Sequence, residues 1–159
     1  MVPGSVLWLK QPNEAARHNL ANEAASHGVD ASRLIFAKDA SLADHIARHE
    51  LADLFLDTLP YNAHATAAHA LWAGLPVLTL KGDAFAARVS ASLLKAAQLP
   101  ELVTETLADY EALALRLARE PGLLKGCRER LKKDRAALPL FDGMRFCRNI
   151  EAAFLAMHK

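Results

Sequence analysis

The sequence predicts a doubly wound α/β domain within its 159 residues. Two observations carry that expectation. Short apolar runs recur at residues 5–9, 34–37, 54–56 and 77–80, with a weaker one at 102–103, and helical patterns with their own start and stop signals separate them. Runs that are apolar at almost every position fit strands covered on both faces, as in a parallel sheet. Regular alternation of such strands with helices is the doubly wound pattern.

The elements follow in order. Asn13 is placed to cap a first helix that carries Leu20 and ends at Gly28, the residue type favoured just past a helix. Ser41 with Asp44 resembles a capping box opening a helix over 42–49. The alanine-rich stretch 63–73 stops at Gly74, with Pro76 beyond it. A fourth helix is expected over 85–99, ahead of Pro100. After Val103 the strand pattern ceases. Thr106 and Asp109 form a second capping pattern ahead of a helix over 110–119, Pro121 and Gly122 break it, and helices over 123–138 and 142–159 complete the chain. This divides it into an α/β core, residues 1–104, and C-terminal helices, 105–159, expected to belong to the same domain and to pack on a neighbouring one. Trp8 on a strand and Trp72 on an apolar helix stripe are expected in the core.

Composition narrows the function classes. With 52% hydrophobic residues and a net charge of +1, the chain is not disordered and lacks the basic excess of a nucleic-acid module. No apolar run approaches the roughly 18 residues of a membrane span, and the opening MVPGSVLWLK lacks the pattern of a signal peptide. Cys127 and Cys147 make no disulfide framework, which fits a reducing, cytoplasmic setting.

Ligands of doubly wound sheets bind outside the carboxyl ends of the strands. Two strand-to-helix turns there are rich in polar groups: residues 36–45, with Ala40, Ser41, Leu42 and His45, and residues 56–66. Around Asn62–Thr66 the small residues leave backbone N–H groups open to an anion, with the helix dipole behind them and His64 and Thr66 as further donors. That makes a diphosphate seat without a glycine loop; plain helix capping is the alternative. His45 and Arg48, three apart, share a helix face and present two flat groups suited to an aromatic base, or else a solvated face. His45 and His49 have the spacing of a zinc pair, but no third ligand is evident. Asp53 and Asp57 flank a strand without a partner pattern for acid–base work, and Ser90 and Ser92 lie in a helix away from any nucleophile motif. The basic stretch from Lys125 to Arg135 is interrupted by Glu129 and Asp134 and reads as a solvated face.

Three segments together resemble a known family: residues 51–58 (LADLFLDT), 61–66 (YNAHAT) and 71–77 (LWAGLPV). They are similar to the O-linked N-acetylglucosamine transferases, and most closely to bacterial homologues of the SPINDLY type, whose catalytic region often follows tetratricopeptide repeats. Residues 2–9, 33–36, 87–92 and 139–142 agree as well, so the resemblance spans nearly the whole chain. It implies a GT-B glycosyltransferase of two Rossmann-like domains, of which this chain is most of the second, UDP-binding one. It further implies an inverting, metal-independent enzyme that moves N-acetylglucosamine from UDP-GlcNAc to Ser or Thr hydroxyls of protein acceptors; some SPINDLY-type relatives use GDP-fucose instead. No cofactor, nucleic acid or membrane is implied.

On the same resemblance, uracil maps to Ala40, His45 and Arg48, and the phosphates to His64, Ala65 and Thr66. Three positions depart from the family. Ala65 stands in place of a threonine, His69 in place of an aspartate that holds the ribose hydroxyls, and Leu42 in place of a lysine that touches the ribose. An imidazole offers one acceptor where a carboxylate takes two hydroxyls. These departures imply weaker UDP affinity, a changed donor, or a degenerate module that binds without catalysis. The family's preceding strand, with a lysine that contacts the phosphates, and the acceptor-binding domain are not in this sequence. The expectation is therefore a fragment, inactive alone, whose general base lies elsewhere.

Overall fold

The computed structural model describes residues 2–133 and 135–158; Met1, Asp134 within the basic stretch and Lys159 at the end of the expected last helix lie outside them. The chain forms two compact units, one ending at His45 and the other starting at Ile46.

In the first unit, β1 (Leu7–Lys10) and β2 (Leu34–Ala37) pair in parallel, Leu7 opposite Leu34. The crossover helix α1 (Glu14–Ser26) starts where Asn13 Oδ1 accepts the Ala16 N–H at 2.8 Å. It closes past His27, with the Val29 N–H on the Ala24 carbonyl at 2.9 Å. The Arg33 guanidinium donates to the carbonyls of Ser5 and Val2 at 2.8 and 2.9 Å, tying the segment ahead of β1 to the start of β2. The expected burial on both faces fails here. Leu7 and Ile35 are exposed, Trp8 is 38% exposed, and none of β1, α1 or β2 holds a fully buried residue. A two-stranded ribbon with one weakly apolar helix has too little surface to cover both its faces.

Helix α2 (Leu42–Arg48) opens on Ser41, whose Oγ accepts the Asp44 N–H at 3.2 Å and donates to the Asp44 carboxylate at 2.7 Å. It ends one residue earlier than expected, because His49 begins a 3-10 turn, His49–Leu51.

The second unit is built on a parallel sheet ordered β3 (Phe55–Leu56), β4 (Val77–Leu80), β5 (Val103–Thr104). Helices α3 (Ala65–Trp72), α4 (Val89–Ala96) and α5 (Leu107–Arg119) all pack against β4. Val77, Leu78 and Thr79 are buried, as a central strand covered on both faces requires. Leu71, Leu75, Leu94, Leu99 and Leu102 join them, each worth roughly 1.5–3 kcal/mol relative to exposure. Leu117 of α5 and Cys127 and Leu131 of α6 (Pro121–Lys133) complete this core. The last helix, α7 (Gly143–Met157), is capped by Asp142, which accepts the Arg145 N–H at 2.9 Å.

Several expectations are corrected. The stretch 85–99 is not one helix: Phe85–Ala87 forms a 3-10 turn, and α4 starts only at Val89. The Ala86 and Ala87 carbonyls are drawn out to bond the N–H groups of Asn62 and Gly82, at 3.0 and 2.9 Å. α4 ends in a left-handed Gln98 (φ +60°), with the Leu99 N–H on the Leu94 carbonyl, a role usually given to glycine. α5 ends at Arg119 as expected, but α6 starts at Pro121, two residues before the expected Leu123, since proline at the first helical position removes an N–H that has no acceptor. In place of the helix expected up to residue 138, a 3-10 turn over Arg135–Ala137 leads into the buried Leu138. Trp72 is 42% exposed; it sits under the Arg135 guanidinium at 4.9 Å and edge-on to Phe141 at 5.0 Å. The basic stretch is more than a solvated face, because Arg128 donates to the Ala52 carbonyl and Arg130 to the Glu101 carboxylate.

Candidate functional site

The β3–α3 turn is organised by a buried carboxylate. β3 ends at Leu56, and Asp57 follows; its Oδ1 accepts the N–H groups of Thr58 and Ala63 at 2.9 and 2.7 Å, and its Oδ2 accepts the Thr79 hydroxyl at 2.6 Å. One side chain thereby spans the loop and anchors it to β4. Inside the loop, the Thr58 hydroxyl donates to the Tyr61 carbonyl at 2.7 Å and Asn62 Nδ2 to the Thr58 carbonyl at 3.2 Å; the Leu59–Pro60 peptide is cis. From outside, the Ser90 hydroxyl donates to the Ala63 carbonyl at 2.8 Å and the Tyr110 hydroxyl to the Asp57 carbonyl at 3.0 Å. Burial, aided by the Asp57 charge, pushes the Tyr110 phenol up to about 12. α3 therefore begins in one orientation.

The first turn of α3 is open to an anion. Its N-cap, His64, makes no side-chain cap hydrogen bond, so the amides of Ala65 and Thr66, both exposed residues, are not taken by the capping side chain. First-turn amides also lack acceptors within the helix, and the dipole places positive charge there. Thr66 adds a hydroxyl, and His69, one turn on, shares its face. Asn62, expected at the helix start, is instead 1% exposed and built into the turn. The His64 imidazole stacks on Tyr61 (centroids 4.9 Å, 16°) and meets Phe85 edge-on (6.4 Å, 88°). Its Nε2 is buried and has no hydrogen-bond partner; the same is true of Asn62 Oδ1.

The other turn carries Ala40, Ser41 and Leu42 exposed ahead of and at the start of α2. His45 and Arg48, both half-buried, lie three apart on that helix, as the spacing predicts. The Ser41 hydroxyl serves the cap. His49 lies beyond the helix, buried and stacked on Phe55 at 6.5 Å, so it does not extend α2 as the second half of a zinc pair. Among the described residues, no group of three or more His, Cys, Asp or Glu is arranged to hold a metal ion, and no helix is long and apolar enough to cross a membrane.

At the carboxyl ends of β4 and β5 lies a cavity of about 210 Å³, lined by Leu59, Pro60, Leu80 and the Lys81–Glu105 ion pair at 3.3 Å. The site loop thus borders the sheet edge where such folds take ligands.

The profile of glycosyl transferase family 41 matches residues 1–150. The chain belongs to this family. It is 37% identical over 157 residues to the probable UDP-N-acetylglucosamine–peptide N-acetylglucosaminyltransferase SEC of Arabidopsis thaliana, covering 98% of this chain and 16% of that protein. It is 34% identical over 150 residues to the UDP-N-acetylglucosamine–peptide N-acetylglucosaminyltransferase of Caenorhabditis elegans, covering 94% of this chain and 13% of that one. Its fold matches a solved mutant of the Thermobaculum terrenum O-GlcNAc transferase with a TM-score of 0.85 and 34% identity, over 91% of this chain and 28% of that one. The family 41 chain therefore spans about a sixth or less of the length of the Arabidopsis and Caenorhabditis proteins and 28% of the solved chain.

Sequence reasoning located the first turn of α3 in this family 41 chain but missed its organiser. Asp57 and Thr79 sit 22 residues apart and Asp57 and Tyr110 sit 53 apart, so no local pattern announces their bonds. The one available signal was a carboxylate at the carboxyl end of an apolar strand, a group that burial forces into hydrogen bonds.

Proposed function

We propose that this chain is the donor-binding part of an inverting, metal-independent protein O-GlcNAc transferase, with UDP-GlcNAc as donor and Ser or Thr hydroxyls of proteins as acceptors. The observation that carries the reading is the uncapped first turn of α3 behind the Asp57-anchored loop. There the amides of Ala65 and Thr66, with the Thr66 hydroxyl and His64, receive the diphosphate. Fixed donors at that place stabilise the negative charge that grows on the departing UDP, which a preorganised helix terminus does without reorganising. Uracil recognition by Ala40, His45 and Arg48, alongside Ser41 and Leu42, rests on the family resemblance, as does ribose contact at His69. The family's long relatives supply the support for a protein acceptor. Acceptor binding and the general base belong to the rest of the longer protein, in a cytoplasmic setting, and this chain alone binds the donor without transferring sugar.

Calorimetric titration of the chain with UDP, and with GDP as control, tests this. UDP binds selectively, and His64→Ala or His45→Ala abolishes the heat. No binding at millimolar UDP, or equal binding of GDP, overturns the reading.

A further inference from the structure

Ala63, the residue before the N-cap of α3, is held at both of its backbone polar groups. Its N–H donates to Asp57 Oδ1 at 2.7 Å, and its carbonyl accepts the Ser90 hydroxyl at 2.8 Å. Ser90 is the second residue of α4 and is 0% exposed. A helical serine can turn back to the carbonyl four residues earlier. Here that carbonyl, on Ala86, already accepts the Asn62 N–H at 3.0 Å, and the Ser90 hydroxyl reaches across to Ala63 instead. Neither packing nor helix propensity calls for a hydroxyl in this place. Alanine favours a helix more, and burying a polar group costs free energy unless it is bonded. The Ala63 carbonyl is therefore what the hydroxyl serves.

The Ala63–His64 peptide is trans, so its carbonyl and the following N–H point in opposite directions. With the carbonyl turned in to the buried Ser90, the His64 N–H is turned away from α4. Among the described residues, no backbone acceptor takes that N–H. It directly precedes the amides of Ala65 and Thr66, and successive backbone N–H groups of a turn gather round an anion. We infer that Ser90 is a positioning residue of the diphosphate subsite: it fixes the Ala63–His64 peptide plane so that the His64 amide joins those of Ala65 and Thr66 as a third donor. This rests on the nucleotide reading above, and Ser90 itself touches no ligand.

The test is a titration of the native chain, Ser90→Ala and Ser90→Thr with UDP, and with uridine, which lacks the phosphates, read in proton–nitrogen amide spectra. In the native chain UDP shifts the amides of His64, Ala65 and Thr66, whereas uridine leaves the three in place. Ser90→Ala weakens UDP roughly fivefold, one hydrogen bond's share, and the His64 amide stops responding while Ala65 and Thr66 still shift. Uridine affinity stays within about twofold. Ser90→Thr, which keeps the hydroxyl, keeps the UDP response. Leu117→Val, a truncation in the core away from the loop, lowers the urea midpoint and leaves UDP affinity unchanged, which separates positioning from stability. Unchanged UDP affinity in Ser90→Ala, or equal losses of UDP and uridine, would overturn the inference. So would a His64 amide that ignores UDP in the native chain while Ala65 and Thr66 respond, a result that needs no variant to fold. Each of these leaves the nucleotide reading standing; a native chain that binds no UDP overturns both.

Discussion

The Asp57 carboxylate accepts the Ala63 N–H at 2.7 Å across the whole β3–α3 turn, and the same group holds the Thr79 hydroxyl of β4 at 2.6 Å. The sheet and the start of α3 are thereby joined through one buried side chain. A helix terminus binds an anion well only if its amides are held in place before the ligand arrives, and this bond does the holding.

Removing that carboxylate strands the Ala63 and Thr58 amides and the Thr79 hydroxyl. Asp57→Ala is expected to lose about 3 kcal/mol in urea unfolding, since hydrogen bonds to a charged group contribute about 1.5–3 kcal/mol each and do not add fully. Asp57→Asn, which keeps an acceptor for the amides, is expected to lose about 1 kcal/mol. Equal losses in the two variants would mean that the loop does not depend on the amide contacts.

Tyr110 makes stability depend on alkaline pH. Its phenol is raised from an ordinary 10.0 to about 12 in the folded chain. Below pH 10 both states keep the proton and the contribution is complete; between pH 10 and 12 the unfolded chain ionises first, so stability falls as pH rises. Tyr110→Phe is expected to lose about 1 kcal/mol at neutral pH with the bond to Asp57, and to show a flatter alkaline decline. Denaturant midpoints recorded from pH 8 upward check both parts.

Gly74 closes α3 at φ +82°, with the Leu75 N–H on the Ala70 carbonyl at 2.8 Å. A Cβ there would stand 2.7 Å from Lys132 Cε, a side chain able to move aside, so the backbone conformation dominates. Gly74→Ala should cost about 1–2 kcal/mol in thermal or urea unfolding. A neutral result would show that the turn adopts another conformation.

His69 offers the sharpest test of the ribose assignment. Restoring the family's carboxylate with His69→Asp is expected to tighten UDP roughly fivefold, about one added hydrogen bond's worth. GDP should gain less. Unchanged or weaker UDP binding would remove His69 from the site.

Metal independence has its own readout. If, as proposed, α3 amides and not a cation carry the phosphate charge, UDP affinity should be the same in EDTA and in millimolar magnesium. A tenfold gain with magnesium would refute that.

Much of this protein was legible in the residues themselves. Asn13 and Thr106 cap helices as their positions predict, Gly28 and Gly74 close them, and the run 77–80 is a strand buried over 77–79. These are local signals: a cap or a period-matched apolar run is satisfied within a few residues, so sequence order alone specifies it. The small residues 63–66 likewise marked an open helix start, and the motifs around it carried the family. What sequence order cannot carry is the partner of a buried polar group, or the surface left over after packing. Asp57 finds Thr79 and Tyr110, Ser90 finds Ala63, and the bond from Asn62 to Ala86 shortens the fourth helix, all across 22 to 53 residues. Trp8 and Trp72 are apolar and read as core, yet remain partly in water because coverage depends on how many elements surround them. Local hydrogen bonding and periodicity were set by the sequence directly; which polar groups meet, and which rings stay exposed beside the α3 turn, was decided only when the chain closed on itself.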